Sequence, residues 1–212
     1  MNFLPDWPVL AAFSAAAIFL SITPGPDMTL FIARTLNQGR LMGLMSLLGA
    51  STGTVVHTVF AVAGVSAILV ATPSAFWAIK MVGALYLLWL AFQAIWHGSS
   101  FQPASGGRVS GLMRSYVTGI GINILNPKVI LFFMTFLPQF VDAADPHAPA
   151  KMLFMGLFFT VLTTPLMVGL ILVADLFSKT LMNNPKLSRG IDYAFGTVFG
   201  LFAIKILLTE GR

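Results

Sequence analysis

Six long apolar stretches, separated by short polar or Gly/Pro-rich segments, organise the whole chain. They run from about Val9 to Ala33, Leu41 to Val70, Trp77 to Trp96, Leu112 to Val141, Met152 to Ala174 and Ile191 to Leu208. A helix of about 20 apolar residues crosses a bilayer, so the pattern predicts an all-α integral membrane protein with six transmembrane helices. The sixth stretch is the weakest, because its uncharged part is only Tyr193 to Ile204 and Lys205 must snorkel or face a polar interior. Composition agrees, with 57% hydrophobic and 9% charged residues, 19 phenylalanines in 212 residues and a mean hydropathy of +0.88.

Two of the stretches are interrupted. In the first, Thr23, Pro24, Gly25, Pro26 and Asp27 follow one another in the middle of apolar sequence. Proline has no N–H and clashes with the carbonyl four residues back, so the C=O groups of Leu20 and Ile22 lose their helical donors. Broken helices persist at membrane depth only where the opened backbone is buried in protein or lines a polar cavity. The fourth stretch carries a second interruption, Asn126, Pro127 and Lys128, with Asn123 one turn earlier.

These positions correspond if the chain is two inverted repeats of three helices, about 1–97 and 108–212, joined by a Gly/Ser-rich connection near 98–111 within a single membrane domain, 1–212. Interrupted segments at matching places in two halves point to a transporter's midplane site. A weaker echo is the Gly-x-x-aromatic spacing shared by Gly83/Tyr86 and Gly196/Phe199.

The net charge of +5 does not mark a nucleic-acid binder, because the basic residues are scattered among the connections. Arg34, Arg40, Arg108, Arg114, Lys179, Lys186 and Arg189 fall at alternate connections, which the positive-inside rule places in the cytoplasm. Both termini then lie outside, against which Lys205 and Arg212 argue mildly. Residues 1–8 contain Asp6 and no Lys or Arg, unlike the basic start of a cleavable signal. The absence of cysteine removes disulfides, thiolate metal sites and dithiol redox chemistry.

The chain resembles the lysine exporter family, which includes the homoserine, threonine and leucine exporters. The resemblance rests on Thr23 to Asp27 in the first span, Gly43, Gly49 and Gly53 in the second, and Leu125 to Lys128 in the fourth, and it covers essentially the whole chain. It implies a multi-pass protein of the bacterial inner membrane. The implied activity is export of amino acids of threonine, homoserine, leucine or lysine type, in exchange for protons and without a cofactor.

The residues themselves fit such a substrate. A zwitterion needs acceptors for its ammonium, which Asp27 and the Leu20 and Ile22 carbonyls supply. It needs donors for its carboxylate, which Asn123, Asn126, Lys128 and the helix N-termini after Pro24 and Pro127 supply. Charged groups inside a bilayer usually face the bundle interior and take part in function. A direct Asp27–Lys128 pair, with substrate or proton competing for one member, would make a coupling device. Blander readings stand beside these: Asp27 as a helix cap, Lys128 snorkelling to the interface, Pro165 after Thr163 and Thr164 as a kink satisfied by neighbouring hydroxyls, and His57 as an interhelical hydrogen-bonder. Gly49/Gly53 and Gly196/Gly200 have the small-residue spacing of close helix contacts, within one subunit or between subunits of a homo-oligomer. Trp77, Tyr86, Trp89 and Trp96 read partly as interfacial belt.

Enzyme signatures are missing: there is no His-Glu-x-x-His pair, no second carboxylate deep in a span and no Gly-x-Ser-x-Gly elbow. The alternatives to amino-acid export are transport of a metal or other inorganic ion and a non-transporting accessory role. Cation sites prefer clustered carboxylates, His or Cys, whereas Asp27 stands as the one carboxylate well inside a span.

Overall fold

The computed structural model describes residues 4–71, 81, 84–85, 88–89, 91–97, 111–142 and 145–209. Among them every regular element is helical. The first stretch is two helices, α1 (Trp7–Ile22) and α2 (Pro26–Gln38), which meet at 51°. Prolines 24 and 26 remove two backbone donors at the joint, so the axis turns there. Helix α3 (Arg40–Ala71) is continuous. The fourth stretch divides into α4 (Leu112–Leu125) and α5 (Pro127–Leu131), and the chain runs on through a π-helical turn, Phe132–Phe136, and a 3₁₀ turn, Leu137–Phe140. This second joint bends by 54°. Helices α6 (Ala148–Leu172), α7 (Ala174–Asn183) and α8 (Pro185–Thr209) complete the described chain.

Among the described residues, two helical stretches, Arg40–Gly64 and Ala148–Leu172, are long and apolar enough to cross a membrane alone, and the number rises to four when each bent pair is taken as one span. At 25 residues and about 1.5 Å per residue, each straight span exceeds the hydrocarbon thickness. Nine of the 20 residues of the predicted third span, Trp77 to Trp96, lie outside the described residues, Gly83 and Tyr86 among them, as does the connection 98–110. What is described of it is helical over 91–96. There, Arg189 of α8 donates to the carbonyls of Ala94, Ile95 and Trp96, groups at a helix C-terminus that lack intrahelical donors. A Cβ on Gly196 would lie 2.5 Å from Ile95 Cγ1, so α8 and this helix touch through that glycine.

Helix α3 packs against α2, α4 and α6. Its closest approach is to α4. A Cβ on Gly49 would sit 2.0 Å from the Tyr116 carbonyl oxygen, and one on Gly119 would sit 2.1 Å from that of Ser46. The predicted small-residue contact therefore exists within the chain. Below the two joints lies an aromatic core of Phe13, Phe132, Phe133, Phe136, Phe159, Phe195 and Phe199, all buried. The π-helical turn places Phe132, Phe133 and Phe136 in that core. Trp89 and Trp96 are exposed on the bundle surface, where amphipathic rings face the membrane interface.

Candidate functional site

The two joints face each other across one cavity of about 80 Å³, room for several water molecules at about 10–15 Å³ each. Thr23, Gly25, Asp27, Asn123, Asn126 and Lys128 all line it. Sequence positions a hundred residues apart are thus brought to one place. Pro24, Pro26 and Pro127 do not line the cavity; they bend the chain so that their neighbours do.

Each joint opens a carbonyl, and each opened carbonyl is met by a side chain from elsewhere. At the first, the Lys128 ammonium donates to the Thr23 carbonyl at 2.7 Å. Thr23, not Leu20 or Ile22, is therefore the acceptor the break exposes to a cation. The residue that would complete the helical bond to Thr23 is Asp27, already turned into α2. At the second joint, Pro127 stands four residues after Asn123 and has no N–H to give. The Asn123 carbonyl instead accepts from the Asn126 N–H at 3.1 Å and contacts His57 Nε2 at 3.2 Å. His57, buried at 4% exposure, is thus the interhelical hydrogen-bonder expected.

Side-chain amides hold the remaining groups. Asn123 Nδ2 donates to Asp27 Oδ2 at 2.7 Å, a charge-assisted bond between the two broken spans. Asn126 caps α5, its Oδ1 accepting from the Lys128 N–H at 3.1 Å. The α5 N-terminus is therefore occupied by its own cap and is not free for a carboxylate, contrary to expectation. The α2 N-terminus has no side-chain cap. Asp27 sits in its first turn, but its carboxylate is engaged across the interface as well as by the dipole.

Asp27 and Lys128 share the cavity without bonding to each other: the carboxylate is held by Asn123 and the ammonium by Thr23. The direct pair suggested by the sequence is absent. Nor does Lys128 snorkel, since its ammonium turns inward to Thr23 and lies 5.9 Å from the Phe195 ring centroid. Asp27 Oδ1 is buried and has no hydrogen-bond partner among the described residues. Gly25 is extended, with φ −172°, so conformation alone does not demand glycine. A Cβ there would meet Lys128 Cδ and Nζ at 3.6 Å, ordinary contact.

The wall of the cavity also contains hydroxyl residues that the sequence did not mark as site residues. Ser21, Ser51, Thr54, Thr160, Thr163 and Thr164 line it, and most use their hydroxyl hydrogen on their own helix. Ser21 donates to Ala17, Thr54 to Ala50, Thr160 to Gly156 and Thr163 to Phe159. Their lone pairs are what remains for a guest. The Thr163 hydroxyl donates to the Phe159 carbonyl and not to that of Val161, the group Pro165 leaves without its helical donor. Met28, Phe31, Leu47 and Met167 supply an apolar end. Thr163, Thr164 and Pro165 were the one available sequence signal for this wall.

No solved structure matches the chain. Among curated proteins it is 29% identical over 204 residues to a leucine efflux protein of Enterobacter sp. (strain 638), covering 92% of each chain. It is 26% identical over 201 residues to a homoserine/homoserine lactone efflux protein of Salmonella typhimurium, covering 95% of this chain and 96% of that one. It also matches an uncharacterized membrane protein, YrhP, of Bacillus subtilis, at 29% over 205 residues, 92% of this chain and 97% of the relative. A family model, LysE type translocator, matches residues 18–210. The chain, a multi-pass protein of the bacterial inner membrane with two proline-broken spans closing on one cavity, belongs to the LysE-type translocator family.

Proposed function

We propose that the chain exports small amino acids, of threonine, homoserine, leucine or lysine type, from the cytoplasm in exchange for protons, and that the cavity between the two joints is the binding site. The observation that carries this reading is the arrangement of charge. One carboxylate and one ammonium line a single cavity, each held by a neutral partner and neither by the other. A zwitterion presents the complementary pair.

In this reading the substrate ammonium donates to the unpartnered Asp27 Oδ1 and to the lone pairs of the hydroxyl wall. The substrate carboxylate takes Lys128 and the uncapped N-terminus of α2, where the dipole favours negative charge. Its side chain lies toward Met28, Phe31, Leu47 and Met167. A proton competes with the ammonium for the Asp27 carboxylate, so loading from one side and protonation from the other exclude each other. That exclusion is the coupling device. The similar bends of the two joints, 51° and 54°, support treating the halves as inverted repeats that rock about the site.

The efflux names of the relatives support the direction of transport. A panel of labelled amino acids, preloaded into vesicles and released with and without an inward proton gradient, tests the reading. At least one neutral or basic amino acid should leave faster with the protein present, and faster still with the gradient. A flat response to every amino acid, accompanied by flux of a metal or other inorganic cation, would replace this reading with the ion-transport alternative.

A further inference from the structure

Three buried polar atoms have no hydrogen-bond partner among the described residues: Asp27 Oδ1, Asn123 Oδ1 and His57 Nδ1. All three belong to one connected chain of contacts. His57 Nε2 reaches the Asn123 carbonyl at 3.2 Å, and the Asn123 amide nitrogen reaches Asp27 Oδ2 at 2.7 Å. His57 does not line the cavity, so its contribution to the site passes through Asn123.

The chemistry fixes the direction of the first contact. A carbonyl only accepts, so His57 Nε2 carries the hydrogen, and in the neutral ring Nδ1 is then an acceptor. The ring is steadied by stacking on Phe133, with centroids 6.0 Å apart and planes 25° apart. One turn earlier on α3 stands Gly53, and a Cβ there would lie 2.6 Å from Asn123 Oδ1 and 3.0 Å from Asn123 Cβ. Helix α3 therefore meets Asn123 twice, at its backbone carbonyl and at the oxygen end of its amide. With the oxygen end against Gly53, the nitrogen end is turned to Asp27. From these contacts we infer that His57 and Gly53 are positioning residues for the Asp27 carboxylate, acting through Asn123. His57 supplies the donor that Pro127 cannot, which holds the end of α4 in place. Gly53 supplies the space that sets the rotation of the amide.

The direct test is a ¹³C–¹⁵N distance measurement by solid-state NMR on the full protein in lipid, with ¹³C-labelled aspartate and ¹⁵N-labelled asparagine. The Asp27–Asn123 contact is assigned by its disappearance in Asn123→Ala. It should weaken or vanish in His57→Phe, which keeps the ring and its stack, and in Gly53→Ala, which inserts a methyl against the amide. It should persist in His57→Gln, whose amide nitrogen lies as many bonds from Cα as the imidazole Nε2. A contact of unchanged strength in both His57→Phe and Gly53→Ala would overturn the inference, leaving His57 as a partner for a broken carbonyl and nothing more.

The functional arm rests on the proposed site and uses exchange of labelled leucine in proteoliposomes. Loss of one hydrogen bond to a charged group predicts a rise in KM of roughly tenfold for His57→Phe and Gly53→Ala, recovered in His57→Gln. Neither change should add to the effect of Asn123→Ala, whereas a purely structural role would add the same loss in both backgrounds. Failure of the wild-type protein to exchange leucine would count against the substrate reading, while the NMR contact still decides the positioning role.

Discussion

Asp27 and Lys128 are ordinary residues in an extraordinary location, and their partners determine what they can do. Each is held by a neutral group, and the two are not bonded to each other. Replacing Lys128 by methionine keeps most of the aliphatic stem and removes the donor to Thr23. Charge-assisted hydrogen bonds contribute about 1.5–3 kcal/mol, so we expect KM for the exported amino acid to rise roughly 10- to 100-fold, measured by zero-trans efflux at equal abundance. Gly25→Ala should be mild by contrast, because its added methyl meets Lys128 at ordinary contact distance. Outside the membrane, Asp145 gives a pH prediction. Its hydrogen bonds from the Lys151 ammonium and from the His147 N–H hold the carboxyl below the ordinary carboxylate range. A depressed folded value means that the stabilisation is present above about pH 4 and is lost as pH falls through the lower folded value. The difference in thermal midpoint between wild type and Asp145→Asn should therefore shrink on acidification from neutral pH.

At the scale of the elements, the breaks were legible because proline and an intramembrane charge are each conspicuous in apolar sequence. The sequence located both joints and the charged and amide groups that line the cavity, Asp27, Asn123, Asn126 and Lys128. What it did not locate were partners decided by three-dimensional approach. Thr23 accepts Lys128 because the joint turns that carbonyl toward α5, a consequence of bend direction that local propensity does not encode. The hydroxyl wall was hidden for a related reason: serine and threonine that bond their own helix four residues back are common throughout apolar helices, and only packing tells which of them face a cavity. His57 was placed correctly as a hydrogen-bonder, but its acceptor, opened by Pro127, becomes apparent only when α3 and α4 are seen in contact. The joints themselves can be tested. Replacing both Pro24 and Pro26 by alanine favours a continuous helix by about 3 kcal/mol per proline and would straighten the 51° bend. The double variant should insert at normal abundance and export poorly, as judged by membrane quantity and efflux from the same cells. Unchanged efflux would show that the bend is dispensable.

On the scale of the whole molecule, the fold class, the membrane setting and the family were all accessible from the apolar pattern and the two interruptions. The third span, Trp77 to Trp96, is also read from the apolar pattern, and with nine of its residues outside those described the six-span count rests on hydropathy. Orientation rests on the distribution of basic residues. A reporter active only in the cytoplasm should be active when fused after Gly106 and silent after Ala144, and the reverse pattern would invert the topology. The proposed proton-coupled export requires that the cavity serve both binding and coupling. The measurement that tests this most directly compares wild type with Asp27→Asn in proteoliposomes, reading exchange of labelled amino acid and uphill efflux driven by a proton gradient. The substitution keeps the size of the side chain and much of its capping ability while removing the charge. The account predicts that exchange and uphill efflux fall together at normal abundance, because the same carboxylate receives the substrate ammonium and the proton. Full uphill efflux by Asp27→Asn would contradict it.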